Sequence, residues 1–353
     1  RVRKEGPNQG RLFLVCGDPA CDSFEWASPP DQPRPAPAPR PAPSEGQRTE
    51  EGLLADIRDH PEDDAPRLIY ADWLDEHEQP LRADLIRVQV ERDRPTTDGP
   101  DRERLERRSL AILQEQEEGW TAPLRPLVLG LRYRRGLIDE IEVEADRVAE
   151  HGEEWLRFAP TAAWHVHVDG WVAARALVRC KALAGVRRLA LLGERMGGAG
   201  ARILAESPQV ANLRSLSLAG QSLGQPGAQA LAGSRYLTNL EALDLTACNL
   251  ARSAVTLLAQ SPNLPRLRRL VLADNPLGDA DVRALAASPY LKELRELDLS
   301  RNLITTEAAK ALAGSPLLGR LRWLNLAQCQ VGSHGLYLLR QSPHASKDLV
   351  VRR

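Results

Sequence analysis

The sequence predicts an α/β solenoid of stacked 27-residue strand–helix units, preceded by a small all-α domain. Three observations support this: leucines recur every 27 residues, six periods follow one another without an insertion, and each period contains a helix-forming run. The 353 residues are 42% hydrophobic, which is enough for a continuous core. The 47 basic and 48 acidic residues leave a net charge of −1, so the whole chain gives no electrostatic sign of a nucleic-acid binder.

Three leucine columns define the strand of each unit. They are Val186, Leu213, Leu240, Leu267, Leu294 and Leu321; Leu189, Leu216, Leu243, Leu270, Leu297 and Leu324; and Leu191, Leu218, Leu245, Leu272, Leu299 and Leu326. This LxxLxL pattern is typical of a strand that buries one face. A single unit cannot bury its own leucines, so we expect the units to stack into a curved horseshoe with the strands on its concave side.

A polar ladder position follows the third leucine column. It holds Glu194, Gln221, Cys248, Asn275, Asn302 and Cys329. We expect these side chains to donate hydrogen bonds to loop carbonyls of the adjacent unit, which makes Cys248 and Cys329 structural thiols. The chain's five cysteines are mostly far apart, which favours free thiols in a reducing compartment and a cytoplasmic location.

The strand, loop and short helix of each unit support a family resemblance. Residues 136–347 resemble the leucine-rich repeats of the ribonuclease-inhibitor-like class. This architecture serves the recognition of many partners, and from it we expect a non-enzymatic intracellular scaffold that binds a macromolecular partner, a protein, on the concave face. The runs GLIDEIEV (136–143) and TAAWHVHV (161–168) are expected to be capping strands.

The side chains between the leucines are the candidate partner contacts. Tryptophan and arginine dominate many protein interfaces, and charged pairs often accompany them. The candidates are Arg188, Asp244, Arg269, Glu296, Asp298, Trp323 and Asn325. The alternative is that these rows are a solvated surface whose alternating charges maintain solubility.

Upstream of the repeats, residues 50–92 resemble the short bacterial repeat-companion domain found beside leucine-rich or WD repeats. The matching runs are RLIYADWLDEH (67–77) and RADLIRVQ (82–89). The resemblance predicts a small helical bundle and carries no activity. Asp72 and Asp75 lie one helical turn apart and could bind a cation, but a solvated helix face is the expected role of such residues.

The first 26 residues resemble the C-terminal half of a GRF zinc finger. The motif comprises GRLF (10–13), Cys16, Cys21 and FEW (24–26). The resemblance implies zinc bound by Cys16 and Cys21, and two further ligands are expected upstream of Arg1 because structural zinc needs four. It also implies binding of single-stranded nucleic acid. The implied contacts are Arg3, Lys4 and Arg11 for phosphates, and Phe13 and Trp26 for stacking. A purely structural mini-fold is the alternative.

The composition gives the domain plan. Residues 1–28 form the partial zinc finger, 29–49 a Pro-rich linker, 50–94 the helical domain, 95–130 a charged helix and connection, and 131–353 the repeat domain with its capping strands. Residues 29–43 hold eight prolines, which predict an extended spacer.

No catalytic constellation is visible, so we expect no enzymatic activity. Gly220–Gly224 satisfies the GxSxG pattern, but Ser222 lies in a loop column that other units fill with Asn249 or Pro276. His165 and His167 share one strand face, and no third residue is spaced to complete a metal site with them.

Overall fold

The computed structural model describes the backbone of residues 13–15 and 24–26, together with residues 49–250 and 252–352. The chain divides into two compact units, Arg1–Arg48 and Thr49–Arg353. In the first unit, β1 (Phe13–Val15) pairs antiparallel with β2 (Phe24–Trp26), and Phe13 lies opposite Trp26.

The second unit begins with four helices. They are α1 (Glu50–Asp59), α2 (Ala65–Glu76), α3 (Pro80–Asp93) and α4 (Gly99–Thr121). Thr49 caps α1 by accepting a hydrogen bond from the Gly52 N–H at 3.3 Å. Ile57, Tyr70 and Ile86 are fully buried, and Leu137 of the following sheet joins their cluster. The helical domain therefore shares its small core with the start of the repeats.

A ten-stranded sheet forms the backbone of the repeat domain. Its strands are β3 (Gly130–Arg134), β4 (Leu137–Glu144), β5 (Ala163–His167), β6 (Arg188–Leu192), β7 (Ser215–Ser217), β8 (Ala242–Asp244), β9 (Arg269–Val271), β10 (Glu296–Asp298), β11 (Trp323–Asn325) and β12 (Val350–Arg352). Each strand pairs with the next in sequence, as stacking of consecutive units requires. The β3–β4 pair is antiparallel and every later pair is parallel.

Helices alternate with these strands. They are α5 (Val148–Phe158), α6 (Gly170–Arg179), α7 (Gly197–Ala205), α8 (Gly224–Ala232), α9 (Arg252–Ala259), α10 (Asp279–Ala286), α11 (Thr306–Ala313) and α12 (Ser333–Arg340). The strands expected at 136–143 and 161–168 correspond to β4 and β5. The sequence analysis did not predict β3, which covers the outer edge of β4.

One continuous core lies between the sheet and the helices. Every residue of the three leucine columns is buried in it, and Leu204 and Leu231 join it from α7 and α8. Complete burial of one leucine contributes about 1.5–3 kcal/mol before the loss of chain entropy. The repeated strand–helix architecture is therefore confirmed.

Side-chain hydrogen bonds join neighbouring units at the polar ladder position. Gln221 Nε2 donates to the carbonyl oxygens of Leu191 and Gly193 at 3.1 and 2.8 Å. The matching carbonyls accept from Cys248, Asn275, Asn302 and Cys329. Glu194 is exposed instead, since an ionised carboxylate has no hydrogen to donate.

Candidate functional site

The sheet presents two rows of side chains on the face opposite the helices, which we call the open face. Pairing of β6 to β11 without a register shift aligns both rows. The first row is Arg188, Ser215, Ala242, Arg269, Glu296 and Trp323, and the second is Ala190, Ser217, Asp244, Val271, Asp298 and Asn325. The leucines that alternate with these residues point into the core. The side chains of the two rows therefore lie on the opposite face of the sheet, outside the core.

Arg188, at the start of the first row, is held within the protein. Its Nη2 donates to Asp139 Oδ1 at 2.6 Å and to the carbonyl oxygens of Asp139 and Thr161 at 3.0 and 3.1 Å. Asp139 lies just before the middle of β4, so this arginine fastens the capping strands to the first repeat.

Asp244 and Asp298 stabilise the turns that follow their strands. Asp244 Oδ1 accepts from the backbone N–H and the hydroxyl of Thr246 at 3.0 and 2.6 Å. Asp298 Oδ1 accepts in the same way from Ser300, at 2.9 and 2.6 Å. Their second oxygens accept from neighbouring strands, so much of their hydrogen-bonding capacity is used internally.

Asn325 has the same role in the last of these strands. Its Oδ1 accepts from the Ala327 N–H at 3.1 Å, and its Nδ2 donates to Asp298 Oδ2 at 3.0 Å. The residue is only 7% exposed. Its side chain is therefore a structural element of the open face.

Arg269, Glu296 and Trp323 lie side by side on three consecutive strands. Arg269 Nη1 and Glu296 Oε2 form an ion pair of 3.5 Å, and the two side chains are 57% and 44% exposed. Trp323 is partly exposed and lies next to Val350, which is 59% exposed. These residues are the accessible part of the predicted set.

A column rich in arginines borders the open face and was not predicted from the sequence. The column, which we call the arginine edge, holds five arginines and one glutamate: Arg187, Arg214, Glu241, Arg268, Arg295 and Arg322. Each member follows the first residue of the leucine columns, which is Val186 in the first unit and leucine in the others. The sequence signal was the recurring motif in VRRL, LRSL, LRRL, LREL and LRWL. Backbone hydrogen bonds join successive members, as from Arg214 N to Arg187 O at 2.8 Å.

Asp59 of the helical domain binds the first two members of the arginine edge. Its Oδ1 lies 3.7 Å from Arg187 Nη2 and 3.9 Å from Arg214 Nη2. Its carbonyl oxygen accepts from Arg214 Nη1 at 2.9 Å. Burial, together with repulsion from Arg58 and Arg214, lowers the pKa of Arg187. Two guanidinium groups thus contact one aspartate where the helical domain meets the repeats.

The other residues that were considered as a cation site or a nucleophile have ordinary structural roles. Asp72 and Asp75 both pair with Arg87, at 2.6 and 2.7 Å, which is the arrangement of a charged helix surface. Ser222 is an exposed loop residue with φ +48°.

The two histidines of β5 lie on the open face near carboxylates. His167 Nε2 and Glu142 Oε1 are 2.5 Å apart, and His165 pairs in register with Glu142 across the strands. Within residues 49–250 and 252–352, no three His, Cys, Asp or Glu side chains are placed to hold a metal ion.

Cys180, Cys248 and Cys329 are free thiols. Burial raises the pKa of all three, and it raises the pKa of Cys248 to about 12. Cys248 Sγ lies 3.0 Å from the Leu218 carbonyl oxygen to which it donates. The raised pKa values favour the protonated thiols at neutral pH.

A cleft of about 870 Å³ lies where α1 and α5 approach β3. Its charged lining residues are Arg58, Arg82 and Arg157 together with Glu50, Glu51 and Glu153. The opposite charges balance, so the cleft favours neither an anion nor a cation. The arginine edge has the stronger charge bias.

The residues implied by the zinc-finger resemblance lie mostly outside the described part of the chain. These are Arg3, Lys4, Arg11, Cys16 and Cys21. Phe13 and Trp26 are described only through the paired backbone of β1 and β2.

The buried leucine columns, the parallel strands and the alternating helices form a repeated α/β architecture that is consistent with leucine-rich repeats. A family model described as "Leucine Rich repeat" matches residues 264–286 and 291–313. No curated protein matches the chain significantly.

Several solved structures are similar to the chain. A Bacteroides fragilis protein shares 18% identity with a TM-score of 0.42, and the match covers 59% of this chain and 61% of that protein. The chain therefore spans about three fifths of that relative's length. A Leptospira interrogans leucine-rich repeat protein shares 14% identity over 57% of each chain, with a TM-score of 0.30. A chain of the yeast Rad7–Elc1 complex shares 12% identity with a TM-score of 0.34, and the match covers 80% of this chain and 90% of that one.

Among the helices that the structure describes, none combines the length and the apolar character that a membrane crossing demands.

Proposed function

We propose that this chain is a non-enzymatic scaffold that binds a partner protein through the open face of its repeat sheet. One observation carries the proposal: Trp323 is a partly exposed tryptophan on a sheet face, flanked by the exposed Val350 and by the ion pair of Arg269 and Glu296. An indole with arginines nearby is the composition of an interface hot spot.

The hydrogen bonds divide the predicted contact residues into two groups. Arg188, Asp244, Asp298 and Asn325 hold the sheet and its turns together, so they shape the face. Arg269, Glu296 and Trp323 have accessible surface to offer a partner. We therefore place the contact at the last three repeats.

The experiment compares two aromatic truncations in the same repeat. Trp323→Ala removes the open-face indole, whereas Tyr337→Ala removes an aromatic side chain that is 60% exposed on α12, on the helix side. The full chain and both variants are used to capture crosslinked proteins from a lysate of the source organism. We expect the Tyr337→Ala variant to retain the partners and the Trp323→Ala variant to lose them at least about tenfold, as for a hot-spot residue. Equal recovery by both variants would place the contact elsewhere.

Binding of single-stranded nucleic acid by residues 1–28 stays a second prediction, based on the GRF resemblance of the first 26 residues. It requires zinc at Cys16 and Cys21 with two further ligands. Titration of the chain with oligo(dT), with added zinc and then with a chelator, tests it. Binding that is unaffected by the chelator would contradict a zinc-dependent finger.

A further inference from the structure

The last three members of the arginine edge form one continuous group. Arg295 N donates to Arg268 O at 2.8 Å, and Arg322 N donates to Arg295 O at 2.8 Å. These arginines immediately precede the adjacent strands β9, β10 and β11, and neighbouring strands are about 4.8 Å apart. Arg266 and Arg320 lie on the other side of the buried Leu267 and Leu321 and widen the group.

Two carboxylates offset only part of the positive charge of these five arginines. Glu241 lies 3.7 Å from Arg268, and Glu293 lies 3.6 Å from Arg295. These separations are similar to those of Asp59 from Arg187 and Arg214, so both are ion pairs of the same kind, weakened by solvent. Across the described part of the chain, Arg266, Arg320 and Arg322 form no ion pair.

The first two members of the same column show what these positions bind. Asp59, which lies 155 residues before Arg214, places its carboxylate between Arg187 and Arg214 and its carbonyl oxygen on Arg214. One acidic residue of a protein segment thus spans two adjacent arginines. The Arg268–Arg295 and Arg295–Arg322 pairs repeat this spacing without a covering segment from the described residues.

We infer that Arg268, Arg295 and Arg322, with Trp323 beside them, bind an acidic segment of a partner protein. The inference rests on the proposed function and specifies the chemistry of its partner. Carboxylates of the segment bridge neighbouring arginines as Asp59 does, and an apolar side chain of the segment packs on the indole of Trp323. Arginine supplies several donors in a planar arrangement that suits carboxylates.

Charge alternation favours a protein segment over a nucleic acid. Glu241, Glu293 and Glu296 lie among the arginines, and Asp298 lies in the adjoining row. A phosphate backbone carries unbroken negative charge and would be repelled at each of these carboxylates. A protein segment can place basic or neutral residues there.

The probe for this site is a fluorescein-labelled peptide that copies residues 49–64, the acidic segment that contains Asp59. Fluorescence anisotropy measures its binding to the full chain at about 0.05 and 0.3 M NaCl, because exposed charge pairs are screened by salt. A second peptide replaces every Asp and Glu by Asn and Gln, and oligo(dT) is the nucleic-acid comparison.

Two matched double variants locate the contact. Arg295→Gln with Arg322→Gln removes two charges from the arginine edge, whereas Arg283→Gln with Arg340→Gln removes two charges from exposed positions on α10 and α12. We expect the first variant to weaken binding of the acidic peptide at least about tenfold, and the second to leave it unchanged. Circular dichroism melting checks that both variants fold.

Three results would overturn the inference. These are no binding of the acidic peptide at low salt, equal binding of the neutral peptide, or tighter binding of oligo(dT) at the same arginines. The lysate capture with Trp323→Ala separates this inference from the proposed function. In one outcome, capture of the partner depends on Trp323, but peptide binding is the same with and without Arg295 and Arg322. This outcome would support partner binding on the open face and contradict the binding of an acidic segment at the arginine edge. In the opposite outcome, peptide binding depends on Arg295 and Arg322 but capture does not depend on Trp323. This outcome would support the peptide site and contradict the proposed scaffold function.

Discussion

Gln89 of α3 and Gly136 of the β3–β4 turn join the helical domain to the repeat sheet. Gln89 Oε1 accepts a hydrogen bond from the Gly136 N–H at 2.8 Å, and its Nε2 donates to Ser109 Oγ at 2.8 Å. Gly136 has φ +81°, and a Cβ at this position would lie 2.2 Å from the Cα of Ile86. The helical domain can approach the sheet this closely because residue 136 has no side chain.

Replacing Gly136 by alanine is expected to destabilise the protein by more than about 2 kcal/mol, because the new methyl group meets backbone and the φ angle suits glycine. The matched control is Gly119→Ala in α4, where a Cβ meets no atom within 4 Å. That control should raise stability by about 0.5–1 kcal/mol, since alanine favours a helix interior. Urea unfolding measures both, and a Gly136→Ala variant as stable as the original chain would contradict the packing described here.

Removing one side chain of the polar ladder is expected to lower the free energy of unfolding much more than removing the same residue type from the surface. Gln221→Ala leaves the buried carbonyl of Leu191 and the N–H of Met196 without their partner. A loss of about 2–3 kcal/mol follows from unpaired buried groups. Gln229→Ala, at an exposed position of α8, serves as the control and should change unfolding by less than about 0.5 kcal/mol. Similar losses in both variants would mean that the ladder does not stabilise the stack.

Stability is expected to fall at alkaline pH because of Cys248. The ordinary pKa of the thiol is 9.0, and burial raises the native pKa to about 12. Between these values the unfolded chain has lost the proton that the native chain keeps, so the free energy of unfolding decreases as pH rises. The slope for one thiol is at most about 1.4 kcal/mol per pH unit.

Urea unfolding at pH 8, 9 and 10 measures this effect. The Cys248→Ala variant should lose less stability over this range than the original chain, whatever its stability at pH 8. Parallel curves for the two proteins would show that Cys248 is not protected from ionisation.

Asp298 is expected to affect stability more than partner binding. Asp298→Ala removes the acceptor for the N–H and hydroxyl of Ser300 and for Asn325, which should cost about 1–2 kcal/mol. Asp146→Ala, at an exposed loop position, is the control for stability. In lysate capture at a temperature where the variant is folded, Asp298→Ala should retain the partners that Trp323→Ala loses. Equal loss in the two variants would make Asp298 a direct contact.

The local pattern of this chain was sufficient to predict the repeated fold. The leucines and the polar ladder residues form contacts between neighbouring units. Because they recur every 27 residues, the same contacts recur along the sequence. The burial of Leu216 and the bond from Asn302 to the Leu272 carbonyl follow from the same short-range rule. The strand β3 was not predicted because GLRYR lies outside the 27-residue period, and its alternation of Leu131 and Tyr133 with arginines spans only five residues.

The repeat alignment is enough to find the arginine column. It does not show which of these arginines bind another part of the chain and which remain available to a partner. Arg187 and Arg214 bind Asp59, whereas Arg322 forms no ion pair in the described part of the chain, although all three occupy the same place in their units. The difference arises because the helical domain folds back onto the first repeats through the close contact at Gly136. A contact between residues so distant in sequence does not repeat with the 27-residue period and cannot be predicted from it. Only the packing of the whole domain determines which arginines remain available to a partner.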